Sequence, residues 1–171
     1  MTRAIAVGLI LAAFTGGPFQ DQAQDIPDPV RPDDFVLVKT LEVPGGPGWT
    51  DAGLDVLVDQ EFWFEAAGTI SLQSGNPEAE CGPEGLKLKL MQQPLPEENL
   101  GCLVGRILQH IQVTEDPKTK EKTVREYAKV FYIGKIGPVR IEADGHLFLG
   151  PNENVMGDNS GSFAVRIYRR G

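Results

Sequence analysis

The sequence is poor in the residues on which thiol-dependent and zinc-dependent sites are built. Its 171 residues include only two cysteines, Cys81 and Cys102, and two histidines, His110 and His146. A structural zinc site needs four nitrogen or sulfur ligands, and neither histidine forms a motif with the cysteines. The sequence therefore gives no support to a zinc site or to a catalytic thiol.

Positive charge is also scarce. The formal net charge is −8 at pH 7, and no run of lysine or arginine forms a basic stripe. Nucleic acids and anionic membrane surfaces attract proteins with the opposite charge pattern. We therefore exclude polyanions as partners.

Enzyme signatures are missing as well. The chain contains no nucleophile elbow, no phosphate-binding loop and no histidine base in a recognisable motif. Glu142, Asp144 and Glu153 are carboxylates of the kind that glycosidases use, but nothing in the sequence sets their separation. We expect a protein that is not an enzyme.

The first residues contain the long apolar run of the chain. Arg3 precedes apolar residues from Ala4 to Phe14, a pattern typical of a secretory signal and too short to span a membrane. We assign residues 1–23 to a signal peptide, with cleavage between Thr15 and Ala23, and residues 24–34 to a flexible spacer rich in Pro and Asp. The protein is expected to be secreted or periplasmic, without a membrane span.

An exported chain with an even number of cysteines favours a disulfide over free thiols. Cys81 and Cys102 are the only pair available, so we expect them to be bonded. A disulfide closing a loop of about twenty residues would stabilise the fold by ~3 kcal/mol on the loop-closure model.

What the sequence does contain is a series of short, alternating apolar segments separated by Gly and Pro turns. We predict strands over these segments: Phe35–Val43, Gly53–Leu57, Glu61–Ala66, Leu86–Met91, Val139–Ala143, Leu147–Leu149 and Phe163–Tyr168. Phe62 and Phe64 share one face of their strand, opposite Trp63, so an aromatic face is expected to enter the core. The pattern predicts one all-β domain over residues 35–171, built as a β-sandwich.

Residues Leu108–Ile133 have strand patterning in two arms, with a charged middle from Glu115 to Lys122. This pattern predicts an inserted β-hairpin that protrudes from the sandwich. An alternative interpretation is a helix from Lys120 to Val130.

A loop rich in side-chain oxygens lies between the last two predicted strands. Its eight positions, residues 152–159, include Asn152, Glu153, Asn154, Asp158 and Asn159. Carboxylate, amide and backbone oxygens are the ligands that Ca²⁺ prefers, although the same residues are also ordinary in turns. Magnesium fits less well because it demands a stricter octahedral arrangement.

The spacing L-F-L-G-x-N-E-x(4)-D-N-S-G-S-F around this loop resembles the calcium-binding end of the galactophilic bacterial lectin family of the LecA (PA-IL) type. The segment A-A-G at Ala66–Gly68, the segment G-P-E-G ending at Gly85 and the segment G-C-L-V-G-R-I-L are further points of similarity. The resemblance implies a jelly-roll-like, galactose-binding-like sandwich and a bound calcium ion. It implies ligand roles for Asp158 and Asn159 and for the backbone carbonyls of Leu72 and Val155, with either Asn152 or Glu153 as the upstream ligand.

The chain departs from the family pattern at two places. The upstream position has N-E where the family usually has N-D, and the segment after G-P-E-G reads L-K-L-K-L-M-Q-Q where galactose-specific members carry His and Gln. Gln92 and Gln93 are available there, but the match assigns them no sugar contact. We expect a calcium-dependent carbohydrate-binding domain whose partner is a glycan. The alternative is a structural or adhesion domain with a purely structural calcium and a protein partner. Self-association into a homo-oligomer is left open.

Overall fold

A computed structural model describes residues 29–171. The signal peptide predicted for residues 1–23 and the first part of the predicted spacer lie outside the described residues. Within them the chain forms nine β-strands and one short 3-10 helix at Pro77–Ala79. The strands are β1 (Phe35–Pro44), β2 (Thr50–Val56), β3 (Glu61–Ser71), β4 (Glu80–Cys81), β5 (Leu103–Glu115), β6 (Lys122–Tyr132), β7 (Ile136–Arg140), β8 (Gly145–Pro151) and β9 (Ser160–Arg170).

The strands form two antiparallel sheets. Sheet A has five strands in the order β1-β9-β3-β4, with β7 also paired to β3, and sheet B has four strands in the order β2-β8-β5-β6. Consecutive strands often lie in different sheets, so the chain crosses repeatedly between the two layers. This arrangement confirms the predicted all-β sandwich.

Aromatic and branched side chains from the two inner faces fill the space between the sheets. Phe62 and Phe64 of β3 are almost completely buried there, as the alternation of that strand predicts. They pack with residues of β5, β8 and β9, which include Ile107, Leu147, Leu149, Phe163, Val165 and Ile167. Each such side chain contributes ~1.5–3 kcal/mol relative to an exposed position.

The outer face of sheet A carries a second, smaller cluster. Trp63 points away from the main core and packs against Phe35 and Tyr168, with the ring centroids of Phe35 and Trp63 6.1 Å apart. The guanidinium of Arg31 lies 4.1 Å from the ring centroid of Tyr168, and its Nη1 donates to Phe35 O. Residues just before β1 therefore help to cover this face.

Strand β3 is longer than the sequence pattern predicts, because it continues through Gly68 to Ser71. Gly68 has φ of +113°, and a Cβ at this position would lie 2.5 Å from the carbonyl oxygen of Ser162 on β9. Only glycine combines that backbone conformation with so close an approach. Gly68 of the A-A-G segment thus allows the backbones of β3 and β9 to approach each other closely.

The strand predicted for Leu86–Met91 is wrong. Only Leu86 forms a bridge, with Leu100, and Leu88, Leu90 and Met91 are exposed. Leu88 N donates to Leu86 O at 2.6 Å, which curls the chain locally instead of extending it along a neighbouring strand. The alternation of Leu and Lys therefore marks a surface loop, since no strand lies beside it to receive a ladder.

The inserted hairpin is confirmed. β5 and β6 pair from Val104 with Tyr132 to Glu115 with Lys122, and the register shifts between Leu108 and His110. The helical alternative for Lys120–Val130 is wrong, because those residues form the returning strand. No helix of residues 29–171 is long and apolar enough to cross a membrane.

Candidate functional site

The loop at residues 152–159 joins the two sheets at one end of the sandwich. It leaves β8 of sheet B at Pro151 and enters β9 of sheet A at Ser160. Two other connections meet it there. Asp158 O accepts from Ser74 N at 2.9 Å, and Asn159 Nδ2 donates to Gly45 O at 2.9 Å. The predicted calcium loop is therefore held on both sides by the turns after β1 and β3.

Glu153 and Asn159 are brought together inside this loop. The side chain of Asn159 donates from Nδ2 to Oε2 of Glu153 at 2.7 Å. Glu153 is only 9% exposed, an unusual position for a carboxylate. Burial raises the pKa of Glu153, and the nearby charge of Asp158 raises it further, while the hydrogen bond from Asn159 acts in the opposite direction.

Asn159 has a buried oxygen with no hydrogen-bond donor. Its Nδ2 already donates to Gly45 O and to Glu153 Oε2, which fixes the orientation of the amide. Oδ1 is buried and unpaired among the described residues. A buried polar atom without a partner costs about 1–3 kcal/mol. A cation beside Glu153 would satisfy this oxygen and offset the buried negative charge, so the residues present fit a calcium ion.

Asn152, in contrast, is turned toward a different loop. It is completely buried, its Oδ1 accepts from Leu95 N at 2.8 Å, and its Nδ2 donates to Leu95 O at 2.9 Å and to Asn99 O at 3.1 Å. The side chain clamps residues 95–99 against the end of β8. The amide oxygen and nitrogen of Asn152 are therefore already engaged in hydrogen bonds within the protein.

The two positions predicted to act through backbone carbonyls differ in their surroundings. Leu72 is buried in the core at the end of β3, and its N donates to Ala79 O at 2.9 Å. Val155 is 73% exposed at the tip of the loop.

A small cavity of about 50 Å³ opens beside Glu153. It is lined by residues from two loops: Leu90, Gln92, Gln93, Leu100, Glu153, Asn154 and Val155. Gln93 is buried, its Nε2 donates to Leu95 O at 2.9 Å, and its Oε1 has no partner within the described part of the chain. The structure thus places Gln92 and Gln93 next to the 152–159 loop, although the sequence pattern assigned them no role.

Among residues 29–171, no group of three or more histidine, cysteine, aspartate or glutamate side chains converges to hold a metal. The 152–159 loop offers two carboxylates, those of Glu153 and Asp158. Any cation held there would need amide and backbone oxygens as well, which Ca²⁺ accepts and zinc does not favour.

A charged cluster that the sequence did not reveal lies on the outer face of sheet B. His146 Nε2 lies 2.7 Å from Asp51 Oδ1, and His146 Nδ1 lies 2.7 Å from Asp55 Oδ1. Both ring nitrogens face carboxylates, so the arrangement favours the doubly protonated imidazolium. Hydrogen bonding to Asp55 and then to Asp51 raises the pKa of His146. A bulge in the β2–β8 pairing brings both aspartates to one histidine, which no sequence spacing indicates.

The predicted disulfide is absent. Cys81 and Cys102 are both buried and both free, and Cys81 Sγ lies 4.0 Å from Gly101 O. Burial raises the pKa of the Cys81 thiol to about 11 and that of Cys102 to about 12. In the structure the two thiols pack like small apolar side chains beneath the 152–159 loop and form no covalent bond.

No protein-family model matches the chain, and no curated protein matches it in sequence. The fold is similar to that of a solved structure described as the EclA N-terminal domain, a PllA-like lectin. The two share 18% sequence identity with a TM-score of 0.53, and the match covers 78% of this chain and 97% of that one. This likeness shows that the matched part of the chain has a lectin-like β-sandwich fold.

Proposed function

We propose that the chain is a secreted, calcium-dependent carbohydrate-binding domain that takes sugar hydroxyls at or near a calcium ion in the 152–159 loop. The lectin-like fold supports this assignment, since the structurally similar domain is described as a lectin. Carbohydrate binding is not a general property of the fold, so the site itself must support the function.

Asn159 Oδ1 is the atom that supports the proposal most directly. It is buried without a partner in the described part of the chain, on the side chain that bonds the buried carboxylate of Glu153. We assign Glu153, Asp158 and Asn159 as side-chain ligands, with backbone carbonyls near Leu72 and Val155 completing the set. Asn152 is not among them, because its amide already clamps residues 95–99.

A bound calcium ion would supply positive charge and open coordination positions that a pair of neighbouring sugar hydroxyls can occupy. The protein's own residues would orient the sugar. Gln92 is exposed and lines the cavity beside Glu153, so its amide is placed to exchange hydrogen bonds with hydroxyl groups. No carboxylate pair across a cleft is needed for this binding, and we propose no catalytic activity.

A second candidate function is supported by the hairpin. Ile111, Val113 and Val124 are each more than half exposed on it. Exposed apolar residues in one place are typical of a contact with protein. In this alternative the calcium only stabilises the 152–159 loop, and the domain serves as a structural or adhesion module.

A glycan array probed with calcium and then with a chelator separates the two. The first candidate predicts glycan binding by the wild type in calcium, loss of binding in chelator, and loss in E153Q and N159A. E42Q is a matched control, because Glu42 is an exposed carboxylate on β1. Calcium-dependent stabilisation without any calcium-dependent glycan signal would favour the structural alternative, and the absence of both effects would contradict both candidates.

A further inference from the structure

Strand β6 is a free edge of sheet B along the protruding hairpin. It pairs with β5 on one side, and no strand of residues 29–171 pairs with its other side. An edge strand presents a row of unpaired N–H and C=O groups that can accept another strand. The hairpin therefore has the capacity for one further antiparallel partner.

The same hairpin has an uncovered apolar face. Val113 lies directly opposite Val124, and Ile111 lies on the same side two residues earlier. The three side chains are 59%, 58% and 52% exposed, respectively. Exposed branched side chains at neighbouring positions of a two-stranded ribbon are costly in water, and a further strand beside β6 would shield part of their surface through cross-strand contacts.

We propose that β6 pairs antiparallel with β6 of a second copy of this chain, about a two-fold axis at Val124. The two copies of sheet B would then form one continuous sheet with four strands from each copy. This pairing is independent of the proposed calcium site, because the 152–159 loop does not form part of β6.

Charge complementarity identifies both the partner and the register. In an antiparallel pair related by a two-fold axis perpendicular to the sheet, two residues that lie opposite each other point to the same face. Their positions in the sequence therefore differ by an even number. With the axis at Val124, Lys122 lies opposite Glu126 of the second copy, and the same pair recurs on the other side of the axis. Opposite charges that face each other across two strands stabilise the pairing.

The neighbouring registers bring like charges together. An axis at Arg125 places the two arginines opposite each other, and an axis at Glu126 does the same for the two glutamates. An axis at Tyr127 places Arg125 opposite Lys129. Like charges directly opposite one another are destabilising, so of these four registers only the one at Val124 has attractive pairs and no repulsive ones.

The side chains of this register are accessible. Glu126 forms an ion pair with Arg106 through Oε2, and its side chain remains 47% exposed. A carboxylate accepts several hydrogen bonds, so the remaining oxygen is available to Lys122 of the second copy. Lys122 itself is exposed at the start of β6.

Sedimentation velocity of the full chain over about 1–100 µM tests the proposal. We expect a concentration-dependent dimer whose Kd rises at least about tenfold in K122E, because two attractive pairs become repulsive. K118E is the matched control, since Lys118 lies in the hairpin turn outside the pairing, and its Kd should stay within about twofold. The double variant K122E/E126K restores opposite charges across the axis and should recover most of the lost association, although it removes the ion pair with Arg106.

Single cysteine substitutions in β6 test the register of the proposed pairing. Only the residue on the axis lies directly opposite the same residue of the second copy. V124C should therefore form a disulfide-linked dimer under mild oxidation, while R125C and Y127C should not. Cys81 and Cys102 are buried and do not compete. A wild type that stays monomeric at every concentration, a K122E variant that dimerises like the wild type, or faster linking of R125C or Y127C than of V124C would each overturn the proposal.

Discussion

Asn159 donates a hydrogen bond from Nδ2 to Oε2 of Glu153 across 2.7 Å, which ties the two ends of the 152–159 loop together. The same nitrogen donates to Gly45 O, and the oxygen of the amide has no partner among residues 29–171. The buried carboxylate of Glu153 and the unpaired amide oxygen of Asn159 thus belong to two bonded side chains at one end of the sandwich.

Calcium should stabilise the protein through this site. A ligand that binds only the folded state at 100 times its Kd adds about 2.7 kcal/mol, which for a chain of this size raises Tm by about 5–10 °C. Thermal melting in calcium and in chelator measures the shift. E153Q and N159A should lose most of it, whereas E42Q should keep it. An equal shift in E153Q and in the wild type would contradict the assignment.

Without calcium, Glu153 should make the stability fall with rising pH. Its folded-state pKa is raised by burial, so the folded chain holds the proton more tightly than the unfolded chain. This contribution is complete below the ordinary pKa of 4.5 and is lost as the pH rises through the raised value. In chelator, E153Q should therefore be more stable than the wild type at pH 7, and the difference should shrink toward pH 4. Urea unfolding at both pH values measures it, and a difference that does not depend on pH would count against a raised pKa.

His146 should contribute stability that disappears at alkaline pH. Hydrogen bonds to Asp55 and Asp51 raise its pKa, so its contribution is complete below the ordinary value of 6.5 and is lost as the pH rises through the raised one. The free energy of unfolding of the wild type minus that of H146Q should be larger at pH 5.5 than at pH 9. D51N removes one of the two carboxylates and should show a smaller pH dependence than the wild type. A constant difference across this range would contradict the imidazolium.

Asn152 should be important for stability. Its side chain makes three hydrogen bonds to the backbone of residues 95–99 from a completely buried position. N152A leaves those groups unpaired and should cost about 2–4 kcal/mol in urea unfolding. N154A is the matched control, because Asn154 is an exposed neighbour, and it should change stability by less than about 0.5 kcal/mol. Similar losses in the two variants would mean that the clamp is not the cause.

Both cysteines should be free and slow to react. Their thiols have pKa values raised by burial to about 11 and about 12, so few thiolates form at pH 8. Iodoacetamide should leave the native protein unmodified and add to both cysteines after unfolding in urea without a reductant, as mass spectrometry can show. If both cysteines react only after a reductant is added, the disulfide expected from the sequence is present in the protein.

Much of the fold could be predicted from local patterns. Alternation in Glu61–Ala66 identified a strand with Phe62 and Phe64 facing the core, and the charged middle of Leu108–Ile133 identified the hairpin turn. The same rule failed at Leu86–Met91, because alternation describes a strand only where another strand is available to pair with it. The sequence pattern also placed Gln92 and Gln93 after a family-like motif but could not show that they line a cavity beside Glu153.

The all-β class, the hairpin and the oxygen-rich composition of the 152–159 loop could be predicted directly, because they depend on residue type and on spacing along the chain. Three relationships could be seen only in three dimensions: Glu153 meets Asn159 while Asn152 turns to Leu95, His146 lies between Asp51 and Asp55, and the two cysteines are unbonded. Those relationships depend on the path of the chain between two sheets, where adjacent side chains point to opposite faces and distant residues become neighbours.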